Sequence, residues 1–212
     1  MRTFTLAVSV AMLAITMLLS PISTSYAEES EKPFYVGAFG GYSFPENPDN
    51  VHSLQNGWSA GLKLGWVLPP LSYDRWVSWE FEYWYQNIGV KQTSSLSGAK
   101  ANVNIFASNM VLRRPTGMIR PYVGIGPSLV YVSTNASPTA TTSLGVGDQS
   151  ATAFGLNLLV GTRVMFHKTL GVFAEYKHNR AINLVFDNAH FSMNTNAVVG
   201  GLVWDFDYFS LP

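Results

Sequence analysis

The sequence contains no cysteine, and only 12% of its 212 residues are charged. A chain without cysteine has no disulfide framework, no thiolate nucleophile and no thiolate metal site. Typical soluble domains carry about 25% charged residues, so this chain has about half of the charge that a water-facing surface needs. Lys+Arg and Asp+Glu are equal at 13 each. This balance argues against nucleic acid as a partner, because proteins that bind it are basic.

The N-terminal residues 1–27 have the features of a secretory signal peptide. Arg2 supplies a positive start, Leu6–Leu19 is an apolar run, and Ser25-Tyr26-Ala27 has the small residues of a cleavage site. The alternative is a membrane anchor, but a spanning helix needs about 20 apolar residues, more than this run offers. Cleavage after Ala27 would leave a domain of residues 28–212 with a net charge of −1. The sequence therefore predicts an exported protein.

Beyond the signal peptide the chain shows alternating apolar and polar residues, which is typical of half-buried β-strands. Segments rich in Pro, Gly, Asn, Asp and Ser separate the alternating runs, and no run of 18 apolar residues is present after residue 27. Spanning helices are therefore excluded from this part of the sequence. The alternating runs number eight: 34–44, 57–68, 76–90, 100–113, 119–133, 151–166, 169–184 and 195–209.

The composition of the two strand faces decides between a soluble and a membrane barrel. In run 57–68, apolar side chains from Trp58 to Trp66 share one face, and Ser59, Lys63 and glycines take the other. A soluble barrel would expose a face rich in Lys and Glu, whereas a membrane barrel fills its lumen with small polar side chains. Trp58 and Trp66 would stand about 20 Å apart along the axis, close to the ~25 Å apolar band. The prediction is an all-β fold, an eight-stranded antiparallel transmembrane up-and-down β-barrel.

Glycines recur within the predicted strands. Because glycine has no side chain to pack, it often marks a bend or a close approach within a strand. We expect these glycines to relieve crowding in the lumen or to allow the strands to bend. They are Gly37, Gly40, Gly41, Gly124 and Gly126.

Connection lengths predict the orientation of this barrel. Those after the second, fourth and sixth runs are short, as periplasmic turns usually are, and most of the others are longer. An even number of strands places both termini in the periplasm. Four segments are then expected to be extracellular loops: Pro45–Asn56, Lys91–Ala99, Thr134–Ser150 and Asp187–Asn194.

Two stretches resemble a known family. The segments Arg120–Gly126 (RPYVGIG) and Leu170–Lys177 (LGVFAEYK) are similar to those of small opacity-type outer-membrane barrels, which are related to the transmembrane domain of outer membrane protein A. The resemblance implies an eight-stranded barrel with a filled lumen and variable surface loops. Many such barrels end on an aromatic residue read by the insertion machinery, whereas this chain continues from Phe209 to Pro212.

Charged residues on the predicted lumen face form the candidate site. A charge in a narrow interior must be paired or hydrated, since stranding it is costly. We predict a salt-bridge network that fills the barrel and fixes its register; the alternative is a selectivity constriction or a proton path. The residues are Lys63, Glu80, Glu82, Arg163, Glu175, Lys177, Asp205 and Asp207.

Other basic residues fall at the predicted periplasmic ends of the strands. There they could meet anionic lipid headgroups or simply mark the ends of the spans. They are Arg75, Arg113, Arg114, Arg120 and Lys168.

His178 raises the question of enzymatic activity. Lipid A deacylases of the outer membrane are eight-stranded barrels with a lipid-facing His and Ser on one strand, but here Arg180 stands where the Ser is expected. Because a His without a nucleophile cannot perform Ser-His chemistry, we interpret His178 as an interfacial residue. His52, His167 and His190 lack metal-ligand spacing. The sequence predicts no enzyme, no cofactor and no metal site.

The function favoured by these patterns is that of a bacterial outer-membrane barrel acting in envelope integrity or in surface interaction through its loops. Expected partners are outer-membrane lipid and lipopolysaccharide, the insertion machinery and an external ligand at the loops. A narrow channel for ions or small solutes is the alternative, and a lipid A-modifying enzyme is a third hypothesis. The fold alone does not decide among them, because one fold hosts several functions.

Overall fold

A computed structural model describes residues 32–46, 55–68, 76–89, 100–135, 149–186 and 189–206. The proposed signal peptide, the segment Lys91–Ala99 and Asp207 lie outside these residues. No helix among the described residues is long and apolar enough to cross a membrane. The described chain is built from β-strands.

The strands follow the alternating runs of the sequence closely. Each pairs antiparallel with its chain neighbours, and β1 also pairs with β8, so the sheet closes into a barrel. The predicted eight-stranded antiparallel barrel is therefore confirmed. The bounds are β1 Phe34–Pro45, β2 Gly57–Val67, β3 Val77–Gly89, β4 Lys100–Arg113, β5 Ile119–Asn135, β6 Gln149–Met165, β7 Leu170–Phe186 and β8 Ala189–Phe206.

The two ends of the barrel differ in their connections. At one end, here called the termini end, β1 begins and β8 finishes; the connections there are 68–76, 114–118 and 166–169, and the last two make short turns. In the first of these turns Gly117 has a positive φ of 93°, which glycine adopts without steric cost. The opposite end, here called the loop end, carries the connections 46–56, 90–99 and 136–148 and the two-residue connection 187–188.

The prediction of a loop at Asp187–Asn194 is wrong for most of that segment. Strand β8 begins at Ala189, and its backbone pairs with β7 from Phe186 onwards, so only two residues separate the strands. The polar residues Asn194, Thr195 and Asn196 resemble a loop in the sequence. At 18 residues, β8 spans about 45 Å along the axis when tilted, well beyond an apolar band of about 25 Å. Its loop-end part therefore tolerates polar side chains.

The outward faces of the strands are apolar, as predicted. Leu62, Phe154 and Leu202 are each more than 60% exposed, which would promote aggregation in water but suits contact with lipid. Aromatic side chains concentrate at the two borders of this surface. Trp66, Trp79 and Trp204 lie towards the termini end, and Tyr42, Trp58 and Tyr131 lie towards the loop end.

The lumen is divided into a charged part and an apolar part. The charged side chains lie towards the termini end and at mid-height, where the sequence predicted a polar interior. Towards the loop end the inward side chains are mostly apolar, which the sequence did not lead us to expect because β4 alternates poorly. This buried cluster includes Trp84, Ile88, Val103, Ile105, Val130, Val132, Ala151 and Ala153.

Inward glycines make room for inward aromatic rings on neighbouring strands. A Cβ atom on Gly65 would lie 2.1 Å from Cζ of Tyr35, and one on Gly161 would lie 2.7 Å from Cζ of Tyr122. Both distances are too short for real contacts, so these rings depend on the glycines opposite them. Gly40, by contrast, faces outward, and its Cβ would meet nothing nearer than a backbone oxygen at 3.7 Å. The expectation that Gly40 relieves crowding in the lumen is therefore not supported.

We expect Gly65→Ala to destabilise the barrel by about 1–3 kcal/mol, because overpacking displaces neighbouring side chains. The added methyl group must move the Tyr35 ring. The measurement is the free energy of unfolding of the refolded barrel in urea with lipid vesicles. Gly40→Ala is the matched control and should change stability by less than about 0.5 kcal/mol. Equal effects of the two substitutions would contradict the glycine–aromatic argument.

Candidate functional site: the charged lumen

Five inward-facing residues on three strands form the central charge cluster. Lys63 lies on β2, Glu80 and Glu82 lie on β3, and Glu175 and Lys177 lie on β7. The paired residues within β3 and within β7 are two positions apart, so strand alternation turns both side chains into the lumen. All five are buried, with exposures of 4% or less. The cluster therefore consists of charges that are removed from solvent.

Lys63 joins the two sides of the lumen. Its Nζ lies 2.7 Å from Oε2 of Glu175, 3.3 Å from Oε1 of Glu80 and 3.4 Å from Oε1 of Glu82. The same Nζ lies 4.5 Å from the centre of the Phe173 ring, a distance at which a cation is attracted to the ring face. Lys63 thus connects carboxylates of β3 with a carboxylate of β7.

Lys177 supplies the second ammonium group of the cluster. Its Nζ contacts Glu82 at 2.5 Å and also pairs with Glu175. The rings of Phe39 and Trp84 lie 4.7 Å and 5.4 Å from this Nζ. The two lysines and three glutamates consequently alternate in sign through the centre of the barrel.

Neutral side chains complete the hydrogen bonding of the three carboxylates. The Tyr35 hydroxyl donates to Glu80 at 2.8 Å, and the Tyr122 hydroxyl donates to Glu175 at 2.7 Å. Asn109 donates its amide to Glu82 at 3.0 Å. Sequence reasoning missed these partners, although each has the inward parity of its strand. Such donors offset part of the cost of burying carboxylates, since they replace water.

A second group of charges lies nearer the termini end. Nη1 of Arg163 donates to Asp205 at 3.2 Å, and Arg120 approaches the same carboxylate at 3.7 Å. The guanidinium groups of Arg163 and Arg113 lie 4.4 Å and 4.7 Å from the centre of the Tyr35 ring. Tyr35 therefore links this arginine group to Glu80 of the central cluster.

The prediction that Arg113 and Arg120 belong to the rim needs correction. Arg113 is 3% exposed, and Arg120 contacts Asp205 in the lumen. Both residues share the inward parity of their strands, which aims their side chains at the interior although the backbone lies near a strand end. The structure describes seven of the eight charged residues that were predicted to face the lumen, and all seven are buried. The eighth, Asp207, lies outside the described residues.

The carboxylates of Glu80, Glu82 and Glu175 lie close enough to be considered as metal ligands, with oxygens within 4.8 Å of one another. Nζ of Lys63, however, is within 3.4 Å of all three residues. An ammonium group thus already stands where a cation would bind. The geometry fits an internal ion-pair cluster, and Coulomb repulsion from Lys63 and Lys177 would oppose a second cation.

His178 lies on the outward face of β7, outside the lumen. Its Nδ1 is 2.8 Å from Oδ1 of Asn196, an atom that also accepts a hydrogen bond from the Tyr176 hydroxyl at 2.7 Å. Among the described residues no serine hydroxyl bonds to His178. The described contacts of His178 are thus hydrogen bonds within a polar group on the outward face.

A closed eight-stranded barrel with an apolar exterior and an ion-paired lumen is the architecture of small outer-membrane proteins. Several solved structures are similar to this chain, among them the following three, whose identities of 17% or less establish the fold alone. Neisserial surface protein A is 17% identical with a TM-score of 0.61, covering 84% of this chain and all of its own. A major outer membrane protein from Thermus thermophilus is 9% identical with a TM-score of 0.56, covering 82% and 98%. Ail of Yersinia pestis, in complex with the heparin analogue sucrose octasulfate, is 12% identical with a TM-score of 0.51, covering 82% and 99%.

The family described as "Outer membrane protein beta-barrel domain" matches residues 11–206. The chain belongs to this family. No curated protein sequence matches it significantly. The resemblance to small outer-membrane barrels is thus confirmed at the level of family and fold, and the outer membrane is the location that fits both.

We expect Lys63→Met to destabilise the barrel by about 3–5 kcal/mol, because it breaks a buried ion-pair network and leaves carboxylates uncompensated. The measurement is again unfolding in urea. The double variant Lys63→Met with Glu175→Gln removes the carboxylate that lies nearest to Lys63 and should recover part of the loss. Independent, additive effects of the two substitutions would show that the residues are not coupled.

Proposed function

We propose that the protein is a non-conducting outer-membrane barrel that acts in surface interaction or envelope integrity through its loop end. In this proposal residues 1–27 are removed as a signal peptide, residues 28–212 form the barrel domain, and the insertion machinery places it in the outer membrane. The loop end faces outside the cell, since longer connections are typical of that side. The observation that carries the proposal is the ion-paired cluster across the lumen.

The cluster supports a closed lumen through its position in the barrel. Going round the closed sheet, β2 and β7 are separated by β1 and β8, so the contact between Lys63 and Glu175 crosses the interior. Phe39, Phe173 and Tyr122 pack around the same ammonium group. An eight-stranded barrel has an interior just wide enough for side chains, and these side chains leave no wide path through its middle.

Because the lumen is closed in this proposal, the loop end is the part of the protein that contacts molecules outside the cell. The connections 46–56, 90–99 and 136–148 provide most of the chain there, and most of their residues lie outside the described part. Lipid and lipopolysaccharide surround the wall in this location. The structure of Ail with a heparin analogue is an example of a similar barrel with an external ligand. An external partner at the loops is therefore part of the proposal.

The alternative of a narrow channel has one observation in its favour. Hydroxyl oxygens of Ser43 and Ser59 and both amide atoms of Gln86 are buried without a hydrogen-bond partner among the described residues. These residues lie on adjacent strands β1, β2 and β3, on the loop-end side of the ion pairs. Such groups can bind water or a small solute, but the central cluster would have to open before anything could pass.

We predict that the refolded barrel shows no stable unitary conductance in planar bilayers, because the ion pairs block the lumen. Heat-modifiable migration in gels verifies folding before each recording. Glu82→Gln and Arg163→Gln, which weaken the two charge groups, serve as test variants. Regular current steps in the unmodified protein, shifted in size by either substitution, would instead establish the channel.

A second prediction concerns the loops. Replacing residues 92–98 and 137–147 by short Gly-Asn linkers should leave the barrel folded, since long surface loops tolerate changes in length. In bacteria that lack the gene, the full-length protein should restore resistance to detergents and bile salts, and the shortened variant should not. Full rescue by the shortened variant would mean that the barrel wall, rather than the loops, carries the function.

A further inference from the structure

Arg180 is unusual among the outward-facing residues of the barrel. Of the strand residues with described side chains, it alone carries a full charge on the outward face, and the described residues offer it no ion pair or hydrogen bond. A charge on the lipid-facing surface costs about 2–4 kcal/mol at mid-membrane and little near the interfaces. Arg180 therefore marks the border of the apolar band on β7.

Arg180 belongs to a group of polar side chains that we call the outer polar patch. It lies two residues from His178 on the same face, and its backbone pairs with Asn194 of β8. Hydrogen bonds connect the patch to the end of β1: Asn194 donates to Glu46 at 2.9 Å, and Asn196 donates to the same carboxylate at 3.4 Å. The patch consists of Glu46, Tyr176, His178, Arg180, Asn194 and Asn196.

Asn196 fixes the orientation of the histidine in this patch. Its Nδ2 points at two acceptors, the backbone oxygen of Phe44 and the carboxylate of Glu46. Its Oδ1 consequently faces Tyr176 and His178 as an acceptor, so Nδ1 of His178 donates the hydrogen bond. The ring is held with Nε2 as its remaining polar atom. Nε2 can accept a hydrogen bond from a ligand beside Arg180.

Apolar side chains adjoin the patch on the side of the membrane core. Val198 follows Asn196 by two residues on β8 and is 52% exposed, and Leu202 on the same face is 62% exposed. A molecule at the patch therefore touches charge and amide groups at one end and hydrocarbon-like surface at the other. Lipids have this division between headgroup and acyl chains, and soluble anions do not.

We infer that the outer polar patch binds the phosphate of a lipid headgroup in the outer leaflet of the outer membrane. The guanidinium of Arg180 offers paired donors that match phosphate oxygens. The remaining N–H of the Asn194 amide adds a further donor beside it, Nε2 of His178 can accept a hydrogen bond from a headgroup hydroxyl, and the acyl chains lie against Val198 and Leu202. The inference rests on the orientation of the barrel in the proposed function, because that orientation places the patch in the outer leaflet.

The test compares lipid retention by variants of the full barrel. The refolded protein is placed in nanodiscs of zwitterionic phospholipid with a small fraction of bis-phosphorylated lipid A, and native mass spectrometry measures the fraction that keeps lipid A on release. Arg180→Gln and the double variant Arg180→Gln with His178→Gln remove the proposed contacts. Lys168→Gln is the control, because Lys168 is an exposed cation in a turn at the termini end.

We expect Arg180→Gln to lower lipid A retention by about fivefold, the effect of one cation near a membrane surface. The double variant should lose more, and Lys168→Gln should retain lipid A like the unmodified protein. Dephosphorylated lipid A should bind the unmodified protein as weakly as bis-phosphorylated lipid A binds the double variant. The inference would be overturned if the double variant retained as much lipid A as the unmodified protein. It would also be overturned if the unmodified protein retained dephosphorylated and bis-phosphorylated lipid A equally. The rescue and conductance experiments do not depend on this result, so the proposed function can fail or hold separately.

Discussion

The interior of a closed eight-stranded barrel is only wide enough for side chains, so every charge that points inward must be balanced by another inward side chain. Lys63 illustrates this constraint, because its ammonium group contacts carboxylates from both β3 and β7. The tyrosines that donate to these carboxylates need space in turn, which the glycines opposite their rings provide. The ion pairs, the positions of the aromatic rings and the positions of the glycines therefore depend on one another.

The same constraint separates the roles of the two surfaces. Charge in the lumen is buried and held in ion-pair clusters, which favours stability of a single register over passage of solutes. On the outside, the band that meets lipid is apolar up to the border marked by Arg180 and His178. In the proposed function, other molecules are recognised at the loop end and at the polar border beneath it. This division supports a surface or envelope role over transport.

The sequence predicted the barrel because strand alternation is a local property, visible in residues such as Trp58 and Trp66. It did not predict which charges meet. Lys63 and Glu175 are 112 residues apart, and their contact depends on the stagger of strands around the closed sheet. Asn194 was misassigned to a loop because polar residues are also tolerated in a strand that extends past the apolar band. Arg113 was assigned to the rim from its position near a strand end, whereas its parity aims it inward.

The unequal lengths of the strands give the barrel a slanted rim. Strands β5 to β7 have 17 residues each and β8 has 18, whereas β1 has 12 and β2 has 11. A difference of about six residues corresponds to roughly 20 Å along a strand. At the loop end, the described strands therefore extend further on the side of β5–β8 than on the side of β1 and β2. In the proposed orientation, the longer strands β5–β8 present their loop-end parts to a partner that approaches from outside the cell.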